Sequence, residues 1–182
     1  MIEIIPNWHP VFVHFTIGLL FTSILLFVVA QILPDKLILR DQLQMVAHWN
    51  LWIGYAMALI TAVFGWVAYN SVTHDAPSHE AMTLHRNWAL LTLGIFLPVV
   101  IWSAVSFHQI NNPTWVFVLV LLIPALFLAR TGWLGAEAVY RYGLGVLSLP
   151  QSEGKDHVHG GAVMSEEMDH SGSKGQKHDH NH

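Results

Sequence analysis

The chain has 182 residues, 53% of them hydrophobic and only 11% charged, with a formal net charge of −4. A soluble domain carries about 25% charged residues, so neither a disordered chain nor a soluble enzyme fits this composition, and the lack of a basic cluster argues against nucleic acid as a partner. With no cysteine, disulfides, iron–sulfur clusters and thiolate metal sites are excluded, which leaves histidine, methionine, carboxylate or a prosthetic group for any metal chemistry.

Taken in chain order, the apolar body falls into long uncharged runs. The first covers about 11–33, with Pro10 suited to a first helical turn and Pro34 stopping it. The second covers about 46–69, after a loop holding Lys36 and Arg40. Asp75-Ala-Pro77 reads as a cap and first turn for a third helix whose apolar part is about 86–107. The polar turn 108–113 separates it from a fourth run, about 115–135. About 20 helical residues cross a hydrocarbon core of roughly 30 Å. The expected fold class is therefore an all-α integral membrane protein, a four-transmembrane-helix up-down bundle spanning residues 1–149. Pro98 and Pro124 fall mid-span and predict kinks. Trp8, Trp66, Tyr69, Trp88 and Trp133 fall at one expected membrane face, and Trp49, Trp52, Trp102 and Trp115 near the other, as two aromatic belts.

No basic n-region precedes the first run, so it is expected to stay in the mature protein rather than leave as a signal peptide. Lys36 and Arg40 put the first loop in the cytoplasm and both termini in the periplasm of a bacterial inner membrane, while Arg130 and Arg141 argue the other way. Residues 150–182 form a Gly-, Ser-, His- and acid-rich tail with no apolar period, expected to be disordered. Its His157, His159, His170, His178, His180 and His182 could bind copper or zinc, or be an incidental His-rich terminus.

The seven other histidines segregate by height. His9, His14, His74, His79 and His85 lie toward the face carrying the termini, and His48 and His108 toward the opposite one. An ionisable side chain at membrane depth points to function. His14 and His85, near the starts of diagonal helices at one height, are the first choice for the axial ligands of a haem b iron. Gly18, one turn below His14, leaves room for a porphyrin edge, and Arg86 and Arg130 could pair with propionates. His9 competes with His14, since five residues along a helix turn it about 140° away. It could instead orient a ligand or face water. A second haem between His48 and His108 is a weaker alternative, and His74 and His79 read as loop residues. For any of these histidines the plain alternative is an interfacial side chain donating to a loop carbonyl.

The run His9-Pro-Val-Phe-Val-His14-Phe followed by Gly18-Leu-Leu resembles the HPxxVHFPxxLL signature of an uncharacterised bacterial membrane family carrying a domain of unknown function. The stretch from Thr131 to Gly143, with Gly135, Glu137 and Tyr140, resembles that family's closing segment, and His85 matches its histidine opening the third span. The resemblance covers about residues 8–146. Thr16 stands where the family commonly has Pro, and Tyr142 where it commonly has His. It implies four spans and a layout similar to small b-type cytochromes, found in the company of c-type haem domains.

Glu137 and Arg141 are one turn apart, with Arg130 on the same stripe, as an interfacial ion pair or a proton-accepting, quinone-contacting site. Gly143-Leu-Gly145 follows a membrane helix and reads as its stop rather than a nucleotide loop. The expected function is a b-type cytochrome-like electron-transfer subunit with one or two haems, linking the quinone pool to a periplasmic c-type cytochrome within a respiratory complex. The alternatives are a copper- or zinc-handling membrane protein and a cofactor-free accessory subunit packed against other subunits and membrane lipid.

Overall fold

A computed structural model of the chain describes residues 8–72, 75–109 and 113–146. The chain divides at 149/150 into two units, and the second lies outside the described residues. The first contains α1 (His9–Ile32), α2 (Ile38–Ser71), α3 (Ala76–His108) and α4 (Trp115–Tyr142).

α2, α3 and α4 contain the expected spans and outrun them, and α1 starts two residues before its expected span and stops at Ile32, one short of its end. The 34 residues of α2 rise about 51 Å, well beyond a core of roughly 30 Å. Its first turn therefore carries Asp41 and the preceding loop Asp35, ion-paired to Arg40, outside the apolar zone. In α3 the Asp75 carboxylate accepts from the Ser78 N–H at 3.0 Å, so the helix begins ten residues before its apolar part. α4 starts under a Thr114 cap and continues to Tyr142. There Gly143 turns left-handed (φ 63°), and the N–H groups of Gly143 and Leu144 donate back to Val139 and Ala138. α3 and α4 stay helical through Pro98 and Pro124.

The helices pack in a ring. α1 packs tightly on α2 and α3 on α4, the α2–α3 and α1–α4 seams are looser, and α1 and α3 are diagonal. Gly54 lets α1 approach, since a Cβ there would sit 3.0 Å from the Leu20 side chain. Leu20, Phe27, Leu51, Phe96, Phe117 and Leu121 fill the interior. At most 39% of any apolar stretch is buried within the bundle, so the helices are apolar on their outer faces too. Water would not tolerate that surface, whereas lipid requires it. The chain is a four-span membrane protein.

Candidate functional site

The two hairpins repeat one another. His9, Thr16 and Gly18 of α1 recur as His85, Thr92 and Gly94 of α3, at a constant offset of 76 residues. Leu51, Thr61 and Gly65 of α2 recur as Leu121, Thr131 and Gly135 of α4, at an offset of 70.

The repeated residues make repeated contacts. The His9 Nδ1–H donates to the Thr61 carbonyl at 3.0 Å, and the His85 Nδ1–H donates to the Thr131 carbonyl at 3.1 Å. The Thr16 and Thr61 hydroxyls meet at 2.8 Å, and so do those of Thr92 and Thr131. Thr61 also donates to Met57 O, so Thr16 is the donor in the first pair. Thr92 donates to Trp88 O, so Thr131 is the donor in the second. Gly65 and Gly135 let the rings lie against the neighbouring helix: a Cβ would stand 3.0 Å from the His9 ring at Gly65 and 3.1 Å from the His85 ring at Gly135. The arrangement is an approximate two-fold along the bundle axis, with one histidine from each half.

The two rings meet across the bundle in a T-shaped arrangement, centroids 6.2 Å apart and planes at 80°. A carbonyl can only accept, so each Nδ1 carries the proton and each neutral ring has its lone pair on Nε2. A metal-bound histidine is commonly oriented in this way, by a carbonyl holding its other nitrogen. The rings stand between two cavities that both include His9, His85, Ala62, Ala89 and Gly135 in their walls. The inner one, about 460 Å³, runs down to Leu20, Phe96 and Leu128. The outer one, about 360 Å³, runs toward the end of the bundle at Val72, Arg86 and Leu144.

The structure thus brings His85 together with His9 rather than with His14. Helix α1 begins at His9, so both histidines belong to one helix and only one of them can point across the bundle. His14 is exposed at the rim of the inner cavity, its Nδ1–H donating to Pro10 O at 2.5 Å. Gly18 is exposed and lines neither cavity, and the close approach expected of it belongs to Gly65 and Gly135. Arg86 lines the outer cavity, stacked 4.6 Å over the Tyr69 ring. Arg130 lies outside both cavities, exposed over the Trp88 ring at 5.9 Å. Glu137 pairs with Arg141 at 3.0 Å, without Arg130.

His48 and His108 are differently placed. His48 is 3% exposed, with Nδ1 2.6 Å from the Ser103 hydroxyl, and its ring is enclosed by Phe27, Trp52, Phe107 and Phe117. His108 ends α3 on the surface, and neither residue lines the two cavities. His79 lies 3.3 Å from the Tyr69 hydroxyl. His74 and the tail residues His157, His159, His170, His178, His180 and His182 lie outside the described residues.

Sequence reasoning missed Thr16, Thr61, Thr92, Thr131, Gly65 and Gly135. The signal was the duplicated spacing, a histidine seven residues before threonine in the odd helices and a threonine four before glycine in the even ones.

A family model described as "Predicted membrane protein (DUF2231)" matches residues 6–148. No curated protein and no solved structure matches the chain.

Proposed function

The chain belongs to the DUF2231 family of predicted membrane proteins, and from that premise we propose that it is a membrane haem b protein whose iron is held between His9 and His85. The observation that carries this reading is the facing of two histidines from diagonal helices, each with Nδ1 committed to a threonine carbonyl. Two imidazoles on opposite sides of one metal ion, at metal–nitrogen distances of about 2 Å, have centroids about 6 Å apart, and these are 6.2 Å apart.

The donor set favours haem over a bare ion. Among the described residues no group of three or more His, Asp or Glu gathers to hold a metal. Two imidazoles leave a zinc ion short of its usual four ligands, whereas a porphyrin brings four nitrogens and needs only two axial ligands. The cavities on either side of the histidine pair supply apolar space for a flat ring. Arg86, in the outer cavity, is the residue suited to a propionate.

Haem, when bound, supplies one-electron redox chemistry. The residues of the chain set its terms: the Thr61 and Thr131 carbonyls fix the ring orientations and raise the basicity of the ligating nitrogens. Thr16 and Thr92 tie each threonine to the partner helix. Gly65 and Gly135 leave space for the imidazoles, and the apolar walls keep water out. On this reading the protein carries electrons between the quinone pool and a periplasmic c-type cytochrome as part of a respiratory assembly in the inner membrane.

The test is a reduced-minus-oxidised optical spectrum with a pyridine haemochrome count per polypeptide, on wild type and on His9→Ala, His85→Ala and His14→Ala. One haem b per chain, lost in the first two variants and kept in the third, is expected. A featureless spectrum from folded wild type refutes the reading, and loss on His14→Ala with retention on His9→Ala refutes the ligand assignment.

A further inference from the structure

The inner cavity has more depth than the histidine pair needs and a side opening. Thr16 and Thr92 lie seven residues below the histidines, about 10 Å along the axis, and Leu20 and Phe96 a further turn down. The walls at that depth are apolar, and the volume of about 460 Å³ lies within the range of small-molecule sites.

The opening can be located from the lining residues that are also exposed. Pro10 and His14 on α1 and Ala136, Val139 and Tyr140 on α4 are of this kind, whereas Ala58, Ala62, Ala89 and Leu93 on the α2–α3 side are half-buried. The cavity therefore opens through the α1–α4 seam, toward lipid, near the end of the bundle where α1 begins and α4 stops. Gly132 borders the seam without constraining it, since a Cβ there would meet the Ile17 Cδ1 at an ordinary 3.6 Å.

Two polar side chains stand at this window, His14 and Tyr140. A histidine in a lipid-facing wall is costly without a task. The His14 Nδ1–H donates to Pro10 O, so its Nε2 is an acceptor. A ligand arriving through lipid and recognised there must be apolar in body, small enough to pass a helix seam, and able to bring a hydroxyl proton.

We infer that the α1–α4 window is a binding site for a membrane hydroquinone, whose hydroxyl donates to Nε2 of His14 while its ring enters the lower part of the inner cavity, toward Thr16 and Leu20. His14 is five residues from His9 on the same helix, about 7.5 Å along the axis, so the bound ring lies more than a turn below the histidine pair, beneath the space that the haem reading gives to a porphyrin. The inference builds on the haem reading only in giving that ring a purpose, as the lipid-borne electron donor; the window and its acceptor stand without it.

The experiment is equilibrium binding of a radiolabelled decyl-substituted benzohydroquinone to the full chain in nanodiscs, under anaerobic conditions. Its dimethyl ether, which keeps the ring and alkyl tail but has no hydroxyl proton, is titrated in parallel, and Ala136→Phe controls for its added methyl bulk. Wild type is expected to prefer the hydroquinone by about tenfold, the worth of one hydrogen bond. His14→Phe should remove that preference, and Ala136→Phe, at an exposed position in the window, should abolish binding of both. Equal affinity of wild type for the two compounds overturns the inference and makes the cavity a lipid slot, and so does undiminished binding to Ala136→Phe. The same titration on His85→Ala separates the two readings. Hydroxyl-dependent binding there, with no b-type spectrum in wild type, sinks the haem alone, and a b-type spectrum without hydroxyl-dependent binding sinks the window alone.

Discussion

Gly65→Ala tests whether the two histidines are held as tightly as their contacts imply. A Cβ at this position would lie 3.0 Å from both Cε1 and Nδ1 of His9, where ordinary carbon contacts are about 3.5–4.0 Å. The ring must retreat by about 0.5–1 Å, which takes the 3.0 Å bond to Thr61 O past the usual limit of about 3.2 Å. Overpacking costs about 1–3 kcal/mol and the lost hydrogen bond about 0.5–1.5 kcal/mol. The gain from replacing a mid-helix glycine is about 1 kcal/mol. The variant should be destabilised by about 1–3 kcal/mol and bind less haem per chain. Gly18→Ala is the matched control: nothing lies within 4 Å of its Cβ, so it should be more stable by up to about 1 kcal/mol. Reversible unfolding in mixed micelles, read together with the haemochrome count, measures both quantities. If Gly65→Ala matches Gly18→Ala in stability and retains full haem, the close approach of His9 to α2 is refuted.

The hydroxyl pair Thr92–Thr131 should show a coupling of about 0.6 kcal/mol in a double-mutant cycle with valine, the usual size for an interhelical hydrogen bond in a membrane. Thr131→Val keeps the carbonyl that holds His85, so haem content should survive, and its loss would move the role from the backbone to the hydroxyl. Ser103→Ala leaves the buried His48 Nδ1 and the Trp52 N–H without the hydroxyl they share. It should cost about 1–3 kcal/mol with no change in the haem spectrum, and a spectral shift would place a haem ligand at His48 after all. Arg86→Leu removes the cation from the outer cavity and should speed haem loss to an apo-myoglobin trap by about tenfold; an unchanged rate would remove Arg86 from the site.

The four spans were legible because hydrocarbon thickness imposes a length that composition alone reveals. The helix ends were not, because Arg40, Asp41, His79 and Glu80 sit in helical turns beyond the apolar zone, where charge no longer marks a boundary. His85 could be singled out by its height in the membrane. The choice between His9 and His14 depended on the rotational phase of α1, and phase is decided by packing: the Thr16–Thr61 contact and the gap at Gly65 turn His9 inward. Gly18 misled for the same reason, being on the outer side of that phase. The surroundings of His48, held by Ser103 and enclosed by four aromatic rings, were equally invisible in the sequence, because those partners come from other helices and other turns.

The repeat between the hairpins also bears on how such a bundle could arise. A two-helix unit starts and finishes on the same side of a bilayer, so a tandem copy inserts in the same sense as the original. No reversal of loop charges is needed, unlike the inverted halves of many transporters. One unit brings a single imidazole to the interior, and two units bring a pair. A hairpin of this kind would set two such rings together by pairing with a second copy, and joining the copies in one chain leaves each half free to differ, as Arg86 differs from its counterpart Pro10.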